Sequence, residues 1–207
     1  TVSSVCSLAL YKDRKNIASC ELENTFTSPL TGSLPEVLKT FLETNQVDQA
    51  QLTAIVVNRG PGSFTGVRFG MAFAKGYSFG LGVPVWGVSS FQSLMHQHRE
   101  KMSLYEKTLL LIDTKCNSFY TAVVEGGDVY YSVLKPDEVL SQLTPHTLII
   151  SDQTLSNTGL SEKQKEGVIL STAHARWSAD YIVHHQKLAV FETLVSEEPF
   201  YLKALDY

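Results

Sequence analysis

Two short runs rich in apolar and β-branched residues, Val5 to Tyr11 and Ile17 to Glu23, flank the polar stretch Lys12-Asp13-Arg14-Lys15-Asn16. That pattern predicts a β-hairpin. Further on, Leu34, Val37, Leu38, Phe41 and Leu42 share an arc of roughly 140° at ~100° per residue. Ser33, with Glu36 three positions later, has the form of a capping box, so a helix is expected to begin there. Leu52 to Asn58 predicts a short buried strand. It runs into Arg59-Gly60-Pro61-Gly62-Ser63-Phe64-Thr65-Gly66, which opens a second helix reaching about Gly80. Pro84 to Val88 follows as a strand, and Ser89 with Gln92 caps a third helix through His98.

The second half repeats this plan. Lys107 to Asp113, Ser118 to Glu125 and Asp128 to Leu134 are strand candidates, followed by a short helix from Pro136 to Leu143, a strand from His146 to Ser151 and a long helix from Ala173 to Phe191. Laying Thr114 on Thr1 places Ala122 on Ala9 and Val123 on Leu10. In the second half the run KTLLLID precedes its threonine, and nothing precedes Thr1 in the first. The natural gene is therefore expected to encode one more strand upstream. No low-complexity tract or Pro/Ser-rich linker intervenes, so the halves are expected to meet between Glu100 and Lys107, giving lobes 1–103 and 104–207.

With 207 residues, 43% of them hydrophobic and 18% charged, the chain has the material for a sizeable core, which excludes disorder, collagen and coiled coil. A net charge of −4 provides no field to draw in a polyanion, so any nucleic-acid contact is expected to be indirect, through a partner. The three cysteines, Cys6, Cys20 and Cys116, are widely spaced without a CxxC, which signals neither a disulfide framework nor a thiolate metal site and suits a reducing compartment. No apolar run reaches the 18 or so residues that span a bilayer, and no export signal is recognisable; a cytoplasmic protein without a membrane partner is expected.

The GPGSFTG loop sits between a strand and a helix N-terminus, where free N–H groups and the helix dipole can hold an anion. Gly60, Gly62 and Ser63 are the candidate contacts. The loop departs from a Walker motif, since Gly66 is followed by Val67-Arg68 in place of Lys-Ser/Thr, and Pro61 contributes no donor. A purely structural turn that needs Gly62 is the competing reading. In the helix that follows, Phe69, Phe73 and Tyr77 form an aromatic stripe flanked by small residues, Gly66, Gly70 and Ala74 on one side and Ala72, Gly76 and Gly80 on the other. Its four glycines cost about 3 kcal/mol of helix propensity relative to alanine, so close backbone approach must compensate. Either the helix is sandwiched within its own chain, or part of it, with the Leu34 to Leu42 helix, meets a second chain. His96 and His98 point about 200° apart on a helix, which reads as a solvated helix end, and His184-His185 read as surface or core-edge residues. No His and Asn pattern accompanies Cys116 as a nucleophile.

The stretch RGPGSFTGVRFGMAFAKGYSFGLGVPVWGVSS resembles the signature of the TsaB (YeaZ) family, paralogues of the TsaD-type threonylcarbamoyl transferases. The likeness extends to the N-terminal Thr-x-x-x-x-Cys-Ser-x-Ala-Leu, to Leu111-Ile112-Asp113-Thr114-Lys115 and to Pro199-Phe200-Tyr201-Leu202-Lys203. It implies an actin/Hsp70/sugar-kinase-like α/β fold of two ribonuclease-H-like halves, with mixed sheets flanked by helices. In TsaD-type enzymes Gly-Val is followed by Asn-His-x-x-x-His, whose histidines hold a metal; here Gly87-Val88 is followed by Ser89, Ser90 and then Leu94. A hydroxyl is a poor ligand and an isobutyl group is none.

The resemblance thus implies a non-catalytic subunit of tRNA N6-threonylcarbamoyladenosine biosynthesis, with no catalytic residue, metal or cofactor of its own. Nucleotide and metal are expected on the partners. These are a TsaD-type transferase, a TsaE-type ATPase and, for the chain alone, a second copy; tRNA is met only indirectly. The pairing surface carried over comprises Leu34, Val37, Leu38, Phe41, Leu42, Phe64, Val67, Arg68, Met71 and Lys75, so a glutamate at Val67 or Met71 should disrupt pairing. Phe26-Thr27-Ser28-Pro29-Leu30 replaces the family's His-Ser before the first pairing helix, and Asp113 is expected to orient the turn after it. The alternative is a free-standing phosphotransferase or ATPase of the actin-like superfamily; peptidase activity finds no metal pair or Ser/His/Asp arrangement.

Overall fold

The computed structural model describes residues 5–23, 30–153, 155, 160–161, 167–185 and 198–200. Phe26 to Pro29, the continuation of the last helix to Phe191, and Tyr201 to Lys203 lie outside them.

The chain divides into two compact units, Thr1–Ser93 with Ala173–Pro199, and Leu94–Thr172 with Phe200–Tyr207. This differs from the expected split at residue 103. The segment from Ala173 returns to the first unit because its helix buries Ile182 against Trp86 and Val88, and a long helix goes where its apolar face is covered.

In the first unit, β1 (Val5–Lys12) and β2 (Lys15–Glu23) form the expected antiparallel hairpin. Its two-residue turn places Asp13 and Arg14 at φ 50° and 63°, the left-handed pair that suits the twist of a tight hairpin. Helix α1 covers Leu30–Thr44, so Ser33 lies within the helix and does not cap it. Pro35 is tolerated in the second turn at the loss of one ladder bond. Leu38, Phe41 and Leu42 of α1 pack onto Leu8, Leu10, Ala18 and Cys20 of the hairpin. The strands β3 (Ile55–Asn58) and β4 (Val85–Val88) pair in parallel across the helix α2 (Phe64–Leu81), a βαβ unit. After β4 comes α3 (Ser90–Met102), whose N-terminal turn belongs to this unit.

The second unit holds one five-stranded sheet in the order β7-β6-β5-β8-β9. Its members are β5 (Lys107–Asp113), β6 (Phe119–Glu125), β7 (Asp128–Leu134), β8 (Thr147–Ser151) and β9 (Val168–Leu170), with α4 (Pro136–Ser141) between β7 and β8. The unbroken LLLI of β5 is what a central strand covered on both faces requires, and Leu109, Leu110 and Leu111 are fully buried. Gly126 and Gly127, both at positive φ, close the β6–β7 hairpin. The strand β9 and a short 3-10 turn at Gln49–Gln51 were not anticipated; three residues carry no readable period. The last described helix, α5 (Ala175–His185), joins the first unit.

Candidate functional site

The Gly-rich loop lies where β3 hands over to α2, and its polar groups are largely committed to holding its own shape. The Gly60 N–H donates to Asn58 Oδ1 at 2.8 Å, and the Gly60 carbonyl accepts from the Ser90 N–H at 2.7 Å. Gly60 has φ 93°, and a Cβ built on it would stand 3.3 Å from Val67 Cγ2, so both backbone angle and space call for glycine. The Gly60-Pro61 bond is cis. Ser63 is the N-cap of α2, its hydroxyl accepting from Gly66 N at 3.2 Å. Gly60, Gly62 and Ser63 thus lie in the turn between β3 and α2. Of the N–H groups there that could meet a phosphate, those of Gly60 and Gly66 already have acceptors, and Pro61 has none to offer.

Against this loop sits the start of α3. Ser89 forms the anticipated capping box: its hydroxyl accepts from Gln92 N at 3.1 Å and its N–H donates to Gln92 Oε1 at 2.8 Å. Ser90, 1% exposed, places its hydroxyl 2.7 Å from the Pro61 carbonyl oxygen and 3.0 Å from Asn58 Oδ1, so its single proton serves one acceptor at a time. Leu94, one turn on, is also 1% exposed. The residues at the two ligand positions of TsaD-type enzymes thus do not fit a metal: one is a hydroxyl engaged with the GPG turn, the other a buried hydrocarbon.

Helix α2 separates the predicted pairing residues into two sets. Val67, Gly70, Met71, Ala74 and Ser78 are buried, with Val67 and Met71 packed on Val57 of β3. These two belong to the core of this chain, which corrects their assignment to a partner surface. The same holds for Leu34, Phe41 and Leu42 of α1, all buried, and for Leu38 in the hairpin core. Val37 and Lys75 are half-buried. The accessible side of α2 carries Phe64 and Arg68, with the guanidinium 3.7 Å over the Phe64 ring, then Ala72, Gly76, Gly80 and Phe79, the last of these 91% exposed. A Cβ on Gly76 or Gly80 would meet nothing within 4 Å. The sequence reading missed Phe79 as a surface residue; the spacing 67, 71, 74, 78 of the buried set marks the inner face and leaves 72, 76, 79 and 80 outward. Phe69, Phe73 and Tyr77 do form the expected stripe, with successive ring centroids 6.5 and 5.7 Å apart, and Tyr77 donates to Gln49 Oε1 at 3.1 Å.

In the second unit Asp113 orients its turn as expected. Its Oδ1 accepts from Lys115 N at 2.8 Å, its Oδ2 faces Lys115 Nζ at 2.7 Å, and its own N–H donates to Asp152 Oδ1 at 3.0 Å. Burial raises the Asp152 carboxyl above its usual range. The reading of His96 and His98 as a solvated helix end is corrected. His96 is buried, and His98, with Nε2 2.9 Å from Ser171 Oγ, is pushed below the usual imidazole range by burial and then by Lys101. His184 and His185 are exposed, their ring nitrogens near the carbonyls of Asp180 and Tyr181. Among the described residues no helix is long and apolar enough to cross a membrane.

Residues 30–199 match the family model described as "TsaD: tRNA N6-adenosine threonylcarbamoyltransferase". The curated relatives include the tRNA threonylcarbamoyladenosine biosynthesis protein TsaB of Haemophilus influenzae, 34% identical over 60% of this chain and 51% of that one. The TsaB of Escherichia coli is 30% identical over 67% of this chain and 62% of its own. The chain thus spans between half and two thirds of these relatives. A crystal structure of a Pseudomonas aeruginosa protein "with similarity to peptidase YEAZ" superimposes with a TM-score of 0.72 at 20% identity, covering 98% of this chain and 96% of that one, and YeaZ from Pseudomonas aeruginosa with 0.64 at 21%. The fold is therefore that of YeaZ, an actin-like α/β arrangement with mixed sheets flanked by helices. With family model, relatives and fold in agreement, the chain belongs to the TsaB (YeaZ) family, paralogues of the TsaD-type transferases.

Proposed function

We propose that this chain is the non-catalytic TsaB-type subunit of tRNA threonylcarbamoyladenosine biosynthesis. It pairs with a TsaD-type transferase and supports transfer of threonylcarbamoyl to adenosine 37 of tRNA. The reading rests above all on Ser90 and Leu94: the positions that would carry imidazoles are filled by a hydroxyl tied to Pro61 and a leucine in the core. With a hydroxyl and a hydrocarbon at these two positions, the chain can brace a neighbour but offers no imidazole there with which to activate a substrate. The outer side of α2 supplies a surface for bracing. Its alanine and glycines let another backbone approach closely, and Phe79 offers an aromatic anchor. The revised pairing set is Phe64, Arg68, Ala72, Gly76, Phe79 and Gly80, with Val37 and Lys75 at its margin. The same surface serves a second copy when the transferase is absent, and the assembled pair recruits the TsaE-type ATPase.

Co-expression with the TsaD-type protein of the same genome, followed by native mass spectrometry, should give a one-to-one complex, and reconstituted modification of tRNA should require both chains. Modification by this chain alone, tight ATP binding by it alone, or no heterodimer would each overturn the proposal.

A further inference from the structure

The four residues at the tip of the β1–β2 hairpin, Lys12-Asp13-Arg14-Lys15, are all exposed and carry three cations against one carboxylate. The whole chain has a net charge of −4, yet exposed charges are screened beyond about 8–10 Å, so a partner that meets the tip feels the local balance and not the total.

Two features separate this cluster from an ordinary solvated turn. Lys12 and Lys15 close the hairpin as directly opposed residues of the ladder. Like charges so placed destabilise a strand pair, and neither lysine has an ion pair among the described residues. The turn itself does not ask for lysine, because its left-handed angles fall on Asp13 and Arg14. The tip is also held in place. The Arg14 guanidinium donates to the Val183 carbonyl of α5, and the hydroxyl of Tyr11, next to Lys12, reaches the Arg176 carbonyl at 3.0 Å and Asp180 Oδ1 at 3.2 Å. A hairpin anchored at two points along a helix presents its cations at a fixed place, which lowers the ordering cost of binding.

The three side chains select the ligand. Carboxylates are recognised best by the planar fork of arginine, and the tip's one arginine spends part of its fork on Val183. The two lysines are compact point charges without that geometric demand, which suits phosphates. We infer that the hairpin tip is a docking point for the phosphate backbone of RNA, with Lys12, Arg14 and Lys15 each neutralising about one phosphate. That the RNA is tRNA rests on the function proposed above; the phosphate chemistry does not. Contacts so few give binding that is weak, blind to base sequence and dependent on salt.

Fluorescence anisotropy of a labelled tRNA transcript, titrated with the chain alone at about 50 and 200 mM salt, tests this. Three phosphate contacts predict an affinity that falls about twentyfold to fortyfold between the two conditions. Lys12→Ala combined with Lys15→Ala should bind more weakly and leave a fall of only about threefold, the dependence of one contact. Lys101→Glu, which changes the net charge by the same amount at an exposed position of the second unit, should bind like the wild type. Lys15→Glu exchanges a like pair for an opposite one, so it should melt at or above the wild type while losing the tRNA. No binding at 50 mM salt, equal weakening by Lys101→Glu, or a lower melting midpoint for Lys15→Glu would each overturn the inference. Polyglutamate displacing the tRNA as well as inorganic polyphosphate does would put an acidic protein at the tip and overturn it too. Tip-dependent binding without a heterodimer would sink the proposed function and leave this inference standing; a heterodimer without tip-dependent binding would do the reverse.

Discussion

Replacing Ser90 by alanine should loosen the GPG turn by an amount that can be estimated from its contacts. Ser90 is 1% exposed, and its hydroxyl stands 2.7 Å from the Pro61 carbonyl, which accepts no other bond among the described residues. Removing the donor leaves a buried acceptor that water does not reach, at a cost of about 2 kcal/mol. For a chain of this size each kcal/mol moves the melting midpoint by roughly 2–4 °C, so a fall of about 4–8 °C is expected. Ser90→His restores the residue type of the TsaD ligand position yet should be worse still. The imidazole loses the same bond and must fit where the serine it replaces is already 1% exposed, adding about 1–3 kcal/mol of overpacking. Scanning calorimetry and urea unfolding at neutral pH, each with zinc and with chelator, should rank wild type above Ser90→Ala above Ser90→His. If Ser90→His combined with Leu94→His matched the wild type, and zinc raised its midpoint further, these positions would still be arranged as a ligand pair, and the claim that the site has become a structural clasp would fail.

Gly76→Ala should stabilise the dilute chain by up to about 1 kcal/mol, because the added Cβ meets nothing while the helix gains propensity; a lower midpoint would show that this face is already covered. Phe79→Asp should leave stability within about 0.5 kcal/mol, as expected for a side chain 91% exposed, yet abolish co-purification with the transferase; retained pairing would move the interface off α2. Met71→Ala should cost about 2–3 kcal/mol in urea unfolding, and Met71→Glu should unfold the first unit outright, as read by far-ultraviolet circular dichroism, since the side chain is 3% exposed against Val57 and Val67. Burial, partly offset by the Asp113 N–H, holds the Asp152 carboxyl above its usual 3.8, so the folded state binds more protons than the unfolded one there. Stability contributed by this group is full below 3.8 and lost as pH rises through the raised value, and Asp152→Asn should flatten that fall in acid urea titrations.

Much of this architecture could be read along the chain because its signals are local. The hairpin at Asp13-Arg14, the capping box of Ser89 and Gln92, the continuous LLLI of β5 and the order of strands each depend on residues within a few positions of one another. Family membership was legible for a related reason: the run from Arg59 to Ser90 packs a loop, a helix and a strand whose glycines and serines are tied to each other, so its residues are specified almost one by one. That Ser90 and Leu94 stand where the TsaD-type pattern has histidines could also be read, since residue identity needs no geometry to recognise.

What the chain alone could not decide is which side of an apolar helix meets the rest of the protein. The period of α2 places Val67, Met71 and Ala74 on one side and Ala72, Gly76 and Phe79 on another, and both sides are apolar or small enough to be buried. Only the position of β3, set by pairing with a strand some 30 residues later, turns the first side inward, and the pairing surface shifts accordingly. The C-terminal helix is a parallel case. Its sequence predicts a helix in the second half, and the apolar space over Trp86 and Val88 draws it to the first. Periodicity determines that a face exists; long-range strand pairing determines what that face touches, because burial depends on the sum of neighbours brought from distant parts of the chain.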